Sequence, residues 1–364
     1  MTPAVTFTSV VAIIDEAIHN RVFPAATIEV GGAAGTLWTH AAGRLTYDQD
    51  AADARLDTVF DLASLTKVIA TASLMMRAVD DGRLDIDSLV SEHFAEWRGD
   101  DRESVSVRDL LAHSSGLTAY LPFFRDHAGR TEFQRAICTL PLEYQPRTRA
   151  LYSDLGFILL GFLLEDVHAR NPSPGGTGPE TFARLDSQFT EFAARLTSEP
   201  LTFNPPRAWR ANTAPTEVDE WRGRLLVGDV HDENTWALGG AAGHAGLFGT
   251  VGAVGDFARA ALRTIAGEPV LARPETMRAF ITRTNVPGSS RALAWDTMLP
   301  TSSCGTLLSP SSIGHTGFTG TSLWIDWERD RYVALLTNRV HPTRENRGIS
   351  EIRRALHDAI VRTL

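Results

Sequence analysis

The chain has 364 residues, 43% of them hydrophobic, enough to bury a sizeable core as one large unit or two interleaved ones. A net charge of −9 offers no electrostatic footprint for a nucleic-acid backbone or an anionic membrane surface, and both are excluded as expected partners. No run approaches the roughly 18 apolar residues that a membrane helix needs.

Met1 to Asn20 carries Asp15 and Glu16, lacks a basic leader and spaces Val10, Ile14 and Ile18 as a helix does, so it reads as a first amphipathic helix. Ala26–Gly31 and Thr36–Ala42, separated by Gly32 and Gly35, read as a hairpin. From Leu62 to about Arg283 the pattern is mainly helical: Ser64–Asp80 is a strongly apolar helix, Val105–Ala112 a short one, and Leu155–Val167 another. Asn171–Glu180, rich in proline and glycine, reads as a surface loop. Strand signals return at Ala292–Asp296, Ser322–Asp326 and Tyr332–Asn338, and Ile349, Ile352, Leu356 and Ile360 mark a closing helix. Strands at both ends imply an α/β part (about 1–62 and 284–364) with a helical part (about 63–283) inserted between them.

The basic residues are unusually uniform, because Lys67 is the sole lysine among 35 lysines and arginines. Arginine keeps its proton in proteins, whereas a buried ammonium can be pushed toward neutrality, which singles out Lys67 for proton chemistry. Ser64 stands three residues earlier on the same helical face, where a helix start also offers N–H groups to an oxyanion. Tyr152-Ser153-Asp154 opens the next apolar helix, and Tyr152 can reach both Ser64 and Lys67; read plainly, Tyr152 is a packing residue and Asp154 an N-cap. Gly314-His315-Thr316-Gly317-Phe318-Thr319-Gly320 places three glycines where backbone approaches a ligand, with the Phe318 N–H as a second oxyanion donor. Cys138 and Cys304 show no metal-ligand spacing and read as reduced thiols of a cytoplasmic protein.

These three elements, with Asp61-Leu62-Ala63-Ser64-Leu65-Thr66-Lys67, Leu110-Leu111-Ala112-His113-Ser114-Ser115-Gly116-Leu117 and Tyr152-Ser153-Asp154-Leu155-Gly156-Phe157-Ile158-Leu159-Leu160-Gly161, resemble the class C β-lactamase and penicillin-binding-protein-like serine hydrolases. The resemblance implies an antiparallel sheet flanked by helices plus an all-helical domain. It makes Ser64 the acylated nucleophile, Lys67 and Tyr152 its activating pair, and the N–H groups of Ser64 and Phe318 the oxyanion hole. Asp154 stands where the lactamases usually have asparagine, and its charge favours the ammonium form of Lys67, leaving Tyr152 as the base. His315 stands where they usually have lysine, a weaker anchor for a carboxylate.

Asp154, His315, Thr316 and Gly317 are the expected substrate contacts, with His244 from a rim loop and Arg339, or Arg344, for a substrate carboxylate. Glu217 and Asp219 are expected to form structural hydrogen bonds. The implied activity is hydrolysis of an ester or small amide through an acyl-Ser64 intermediate, without cofactor or metal, with a weak pointer to cell-wall-derived substrates. A β-lactamase or D-alanyl-D-alanine carboxypeptidase is the rival enzyme, and a non-catalytic receptor is the rival from another class.

Overall fold

A computed structural model describes residues 6–170 and 184–364. The expected loop at Asn171–Glu180 lies outside the described residues.

Six antiparallel strands form the central sheet: β1 (Ala25–Gly32), β2 (Gly35–Gly43), β3 (Asp296–Thr297), β4 (Ile313–Thr316), β5 (Ser322–Asp326) and β6 (Arg331–Thr337), in the order β2-β1-β6-β5-β4-β3. The first two therefore join the last four through the β1–β6 seam, where Ala26 faces Thr337 and Gly31 faces Tyr332. Alternation explains why β1 is buried along its length. Ile28 and Val30 point toward α1 (Thr8–His19) and the closing helix, with Val10, Ile14, Leu356 and Ile360. Glu29 points to the opposite face, where it meets Arg259.

The helical layer is centred on a helix at Asp154–Arg170, which is apolar on every side (Leu155, Phe157, Ile158, Leu159, Leu160, Leu163 and Leu164 are buried) and so sits in the middle of its layer. This stretch is not purely helical. Phe60–Asp61, Leu247–Gly249 and Leu201–Phe203 pair as a small second sheet, and Val218–Asp219 pairs with Arg224–Leu225.

Three local expectations are corrected. Ser64–Asp80 is not one α-helix but a 3-10 turn (Ala63–Leu65), a π-helical stretch (Lys67–Ala72) and an α-helix (Ser73–Asp80). Ala292–Asp296 is largely a turn, because Ala294 adopts φ 72° and the Ala292 N–H bonds back to Trp295 O, leaving only Asp296–Thr297 to pair. Conversely, Ile313–Thr316 is a full strand between β3 and β5. Gly314 is required there, because a Cβ would come within 2.2 Å of the Trp324 ring.

Candidate active site

The serine segment is held from below by Asp61, whose buried carboxylate accepts the N–H groups of Ala63 (2.8 Å) and His231 (2.7 Å). Burial raises its pKa, and the two backbone donors pull in the opposite direction. Ala63 is forced to φ 48°, a left-handed conformation that costs a non-glycine residue about 1–3 kcal/mol and turns the chain sharply into the 3-10 turn bearing Ser64. Thr66 locks that turn by donating to Ala63 O (2.6 Å) and accepting from Leu247 N–H (3.1 Å).

Lys67, one turn on, is fully buried, and its Nζ donates to Ser64 Oγ (3.0 Å), Asp154 Oδ1 (2.7 Å) and His244 O (3.0 Å). All three ammonium protons are thereby placed. Burial pushes the Lys67 pKa down, but Asp154 and then Tyr152 more than offset it, so the net shift is upward and the side chain is an ammonium at neutral pH. The carboxylate of Asp154 is therefore the partner of Lys67. The Ser153 hydroxyl accepts the Gly156 N–H (3.3 Å) at the helix start, in the position expected for an Asp154 cap.

Tyr152 packs its ring 4.8 Å from the Lys67 ammonium. Among the described residues its buried hydroxyl makes no hydrogen bond, although Lys67 and Ser64 are near enough for both to pull its pKa down. Burial outweighs those attractions and the net shift is upward, so Tyr152 rests as a phenol rather than the tyrosinate that an acidified base would give. His113 and His315 flank its ring at centroid distances of 4.6 and 5.7 Å. His113 Nδ1 accepts the Ser153 N–H, which fixes its proton on Nε2; His315 Nδ1 donates to Thr316 O (2.9 Å), which leaves Nε2 an acceptor. Both Nε2 atoms are buried and unpartnered. Burial, then Arg291 and Lys67, hold both imidazoles well below their ordinary pKa, and both are neutral.

The glycine-rich loop is tied to the serine segment across some 260 residues of sequence. Thr319 Oγ1 donates to Asp61 O (2.7 Å) and Thr321 Oγ1 to Leu62 O (3.0 Å). A Cβ on Gly317 would lie 2.1 Å from Thr321 Oγ1 and 2.7 Å from Leu62 O, so this close approach requires glycine. Among the described residues neither the Ser64 N–H nor the Phe318 N–H has an acceptor.

Ser64, Tyr152, Asp154, His244, His315, Thr316, Gly317, Phe318, Arg339 and Arg344 all line one cavity of about 740 Å³, so the structure brings every sequence-predicted site residue to the same cleft, with Lys67 just beneath. Several are engaged elsewhere. His244 Nε2 pairs with Asp232 Oδ1 (2.8 Å) and its side chain is almost wholly buried. Arg339 donates to the carbonyls of Phe318, Arg344 and Asn346, and Arg344 to Glu217 and Glu233, so both arginines brace the rim. Glu217 also receives His231 Nε2, and Asp219 receives Arg222, so both serve structural hydrogen bonding. Sequence reasoning did not single out His113, Asp232, Arg291 or Arg353, all of which border the cleft or the tyrosine. His113 lay within a motif already noticed; nothing in the sequence separates the two arginines from the rest.

The family profile "Beta-lactamase" matches residues 10–357. A putative D-alanyl-D-alanine carboxypeptidase of Salmonella gallinarum is 31% identical over 314 residues, spanning 79% of this chain and 71% of the relative. Among solved structures, EstCE1, a hydrolase with promiscuous acyltransferase activity, superposes with a TM-score of 0.73 at 19% identity, covering 97% of this chain and 98% of EstCE1. A class C β-lactamase from Rhodobacter sphaeroides superposes at 0.71 and 17% identity, covering 98% and 99%. With this fold and a profile match along nearly its full length, the chain belongs to the β-lactamase family of serine hydrolases.

Proposed function

We propose that this chain hydrolyses an ester or small amide through a covalent acyl-Ser64 intermediate. One observation carries the reading: a buried ammonium bonded at once to Ser64, Asp154 and a backbone carbonyl, beside a tyrosine hydroxyl that has no partner of its own. Ser64 Oγ attacks the carbonyl carbon and the oxyanion is received by the N–H groups of Ser64 and Phe318. Because Lys67 is held as an ammonium and Tyr152 as a phenol, Tyr152 acts as a shuttle: its oxygen takes the Ser64 proton while its own proton passes to the leaving atom, with Lys67 stabilising the charge that develops between. Water then attacks the acyl carbon along the reverse route, returning the proton to Ser64. Asp154, His315, Thr316, Gly317 and His244 form the walls that orient the substrate, with Arg339 behind the oxyanion loop.

A D-alanyl-D-alanine carboxypeptidase is the second reading, favoured by the name of the Salmonella relative and consistent with a cell-wall-derived substrate. The neutral imidazole of His315 weighs against β-lactams as the main substrates. No described helix is long and apolar enough to cross a membrane, and the two buried, unpaired thiols favour a cytoplasmic site of action.

Intact mass after incubation with a fluorophosphonate and, separately, a penicillin, followed by peptide mapping, tests this. A phosphonyl adduct on Ser64 without a penicilloyl adduct is expected; a long-lived penicilloyl adduct turns the reading to the peptidase, and no adduct with either overturns the hydrolase assignment in favour of a receptor. Ser64→Ala should abolish turnover, a loss of roughly 10⁴-fold or more.

A further inference from the structure

The loop that carries the Phe318 N–H is backed by two buried arginines, Arg339 and Arg353. Arg353, on the closing helix (Ile349–Thr363), points one nitrogen at two carbonyls of the loop: its Nη2 donates to Gly317 O (2.9 Å) and Thr321 O (2.6 Å). Arg339 donates through Nε to Phe318 O (2.8 Å) and through Nη1 to the carbonyls of Arg344 and Asn346. Among the described residues neither guanidinium forms an ion pair, whereas Lys67 is matched by Asp154 and Arg344 by Glu217 and Glu233. Burial, then the charge of Arg339, lower the Arg353 pKa to about 9, so it remains a cation at neutral pH. His357, one turn further along the same helix, supplies no counter-charge: burial, then Arg353, lower its pKa to about 3 and it is neutral.

Hydrogen bonding alone does not call for Arg353. Gly317 O already accepts the Gly320 N–H (3.1 Å) and Thr321 O the Gly317 N–H (2.7 Å), so the loop satisfies both carbonyls by itself. A buried charge with no counter-charge is destabilising, and here it sits at the back of one particular peptide. The Gly317 C=O and the Phe318 N–H belong to the same planar amide and point in opposite directions, so an oxygen held toward the closing helix turns the N–H the other way. A cation on the oxygen of that amide also polarises it and strengthens the N–H as a donor.

On the acyl-Ser64 reading given above, we propose that Arg353 is a positioning residue of this site, its charge acting through the Gly317–Phe318 amide to set the direction and strength of the Phe318 N–H as an oxyanion donor. When Ser64 Oγ bonds to the substrate carbonyl carbon, the π electron pair moves onto the oxygen, and the Phe318 N–H meets that charge. When the adduct collapses, the pair re-forms the C=O bond and the leaving atom departs with the proton from Tyr152. Arg353 therefore stabilises the tetrahedral stage and does little for the bound ester, whose carbonyl is neutral.

The test compares Arg353→Gln, which keeps a donor and loses the charge, with Arg353→Lys, which keeps the charge. Both carbonyls retain their backbone donors, so both variants should fold, which a melting curve checks. With 4-nitrophenyl acetate, Arg353→Gln should lower kcat and kcat/KM together by roughly 10- to 100-fold with KM within about threefold, and Arg353→Lys should recover most of that loss. Affinity for phenylboronic acid, whose Ser64 adduct is a tetrahedral anion, should fall by a similar factor in Arg353→Gln. Wild-type rates or unchanged boronate affinity in Arg353→Gln, or equal losses in the two variants, overturns the proposal. The amide nitrogen of Phe318 is followed separately by NMR on the free protein, with glycine carbonyls and phenylalanine nitrogens isotope-labelled; the chain has three Gly-Phe pairs, ending at Phe157, Phe162 and Phe318. Only the Phe318 signal should move in Arg353→Gln and return toward its wild-type place in Arg353→Lys; a signal that stays put, or moves alike in both variants, overturns the proposal. Failure to turn over the ester or bind the boronate in wild-type protein would sink the hydrolase reading, and the Phe318 signal would still decide the role of Arg353.

Discussion

Two buried polar clusters, on the same face of the sheet but several strands apart, show what distinguishes a reactive site from a structural one. Behind β1, Glu29 accepts from Thr36 (3.1 Å), Tyr332 (2.6 Å) and Arg259 (2.6 Å), and Arg259 also donates to Asp256 (2.6 Å) and the Tyr332 hydroxyl. Each charge meets several partners. In the cleft the charged pair Lys67 and Asp154 is equally well matched, but the atoms around it are not: among the described residues the Tyr152 hydroxyl, His113 Nε2, His315 Nε2 and the N–H groups of Ser64 and Phe318 have no partner. A buried polar atom without a partner costs about 1–3 kcal/mol. Burial of charge alone marks neither cluster; what separates them is the unfilled hydrogen-bonding capacity around Lys67 and Asp154.

The sharpest way to break this contrast is to remove one hydroxyl from each side. Tyr152→Phe deletes a group with no partner in the resting protein, so activity should fall roughly 10²- to 10³-fold while stability to urea stays within about 0.5 kcal/mol of wild type. A large loss of stability would mean that the hydroxyl is structural after all.

Asp154→Asn should act through pH. With Asp154 present the Lys67 pKa lies above its ordinary 10.5, so the charged form and its contribution to folding persist until pH rises past that value. Without the carboxylate, burial dominates and pulls the pKa down, and the alkaline limb of kcat/KM should move to lower pH. If instead the variant is faster near neutrality, a neutral Lys67 is the base and the shuttle is wrong.

Glu217 tests whether a satisfied cluster at the cleft rim behaves like the one around Glu29. Its carboxyl is held down to about 2, against its burial, by His231 and Arg344. Its folded-state pKa is depressed, so its contribution is complete above about 4.5 and disappears as pH falls toward 2. Glu217→Gln should therefore cost about 2–3 kcal/mol at pH 7, with the difference from wild type shrinking through that acid window in pH-dependent denaturation. The smallest effect is expected from Tyr332→Phe: about 2 kcal/mol of stability, with kcat/KM unchanged in the folded protein.

What the sequence disclosed follows the same division. The hairpin of β1 and β2 was legible because alternation and two flanking glycines are local signals, and Ser64 with Lys67 because a lone lysine three residues from a serine is visible in one dimension. β4 was not, since Gly314 and His315 are poor strand formers and only the close approach of Trp324 explains them. The π-helical stretch after Lys67 leaves no pattern that periodicity can separate from an ordinary helix. Arg291 was illegible for a deeper reason: its place over the Tyr152 ring, with no acceptor among the described residues, exists only once the chain is folded.

The ties from Thr319 and Thr321 back to Asp61 and Leu62 also carry a consequence for folding kinetics. They close a loop of about 260 residues, and the pairing of β1 with β6 closes one of about 300. Contacts so distant in sequence form late, after the ordering entropy of the intervening chain has been met. The two N–H groups opposite Ser64 are therefore brought together only at the end of folding, and labelling of Ser64 in a refolding time course should lag behind the recovery of helical signal.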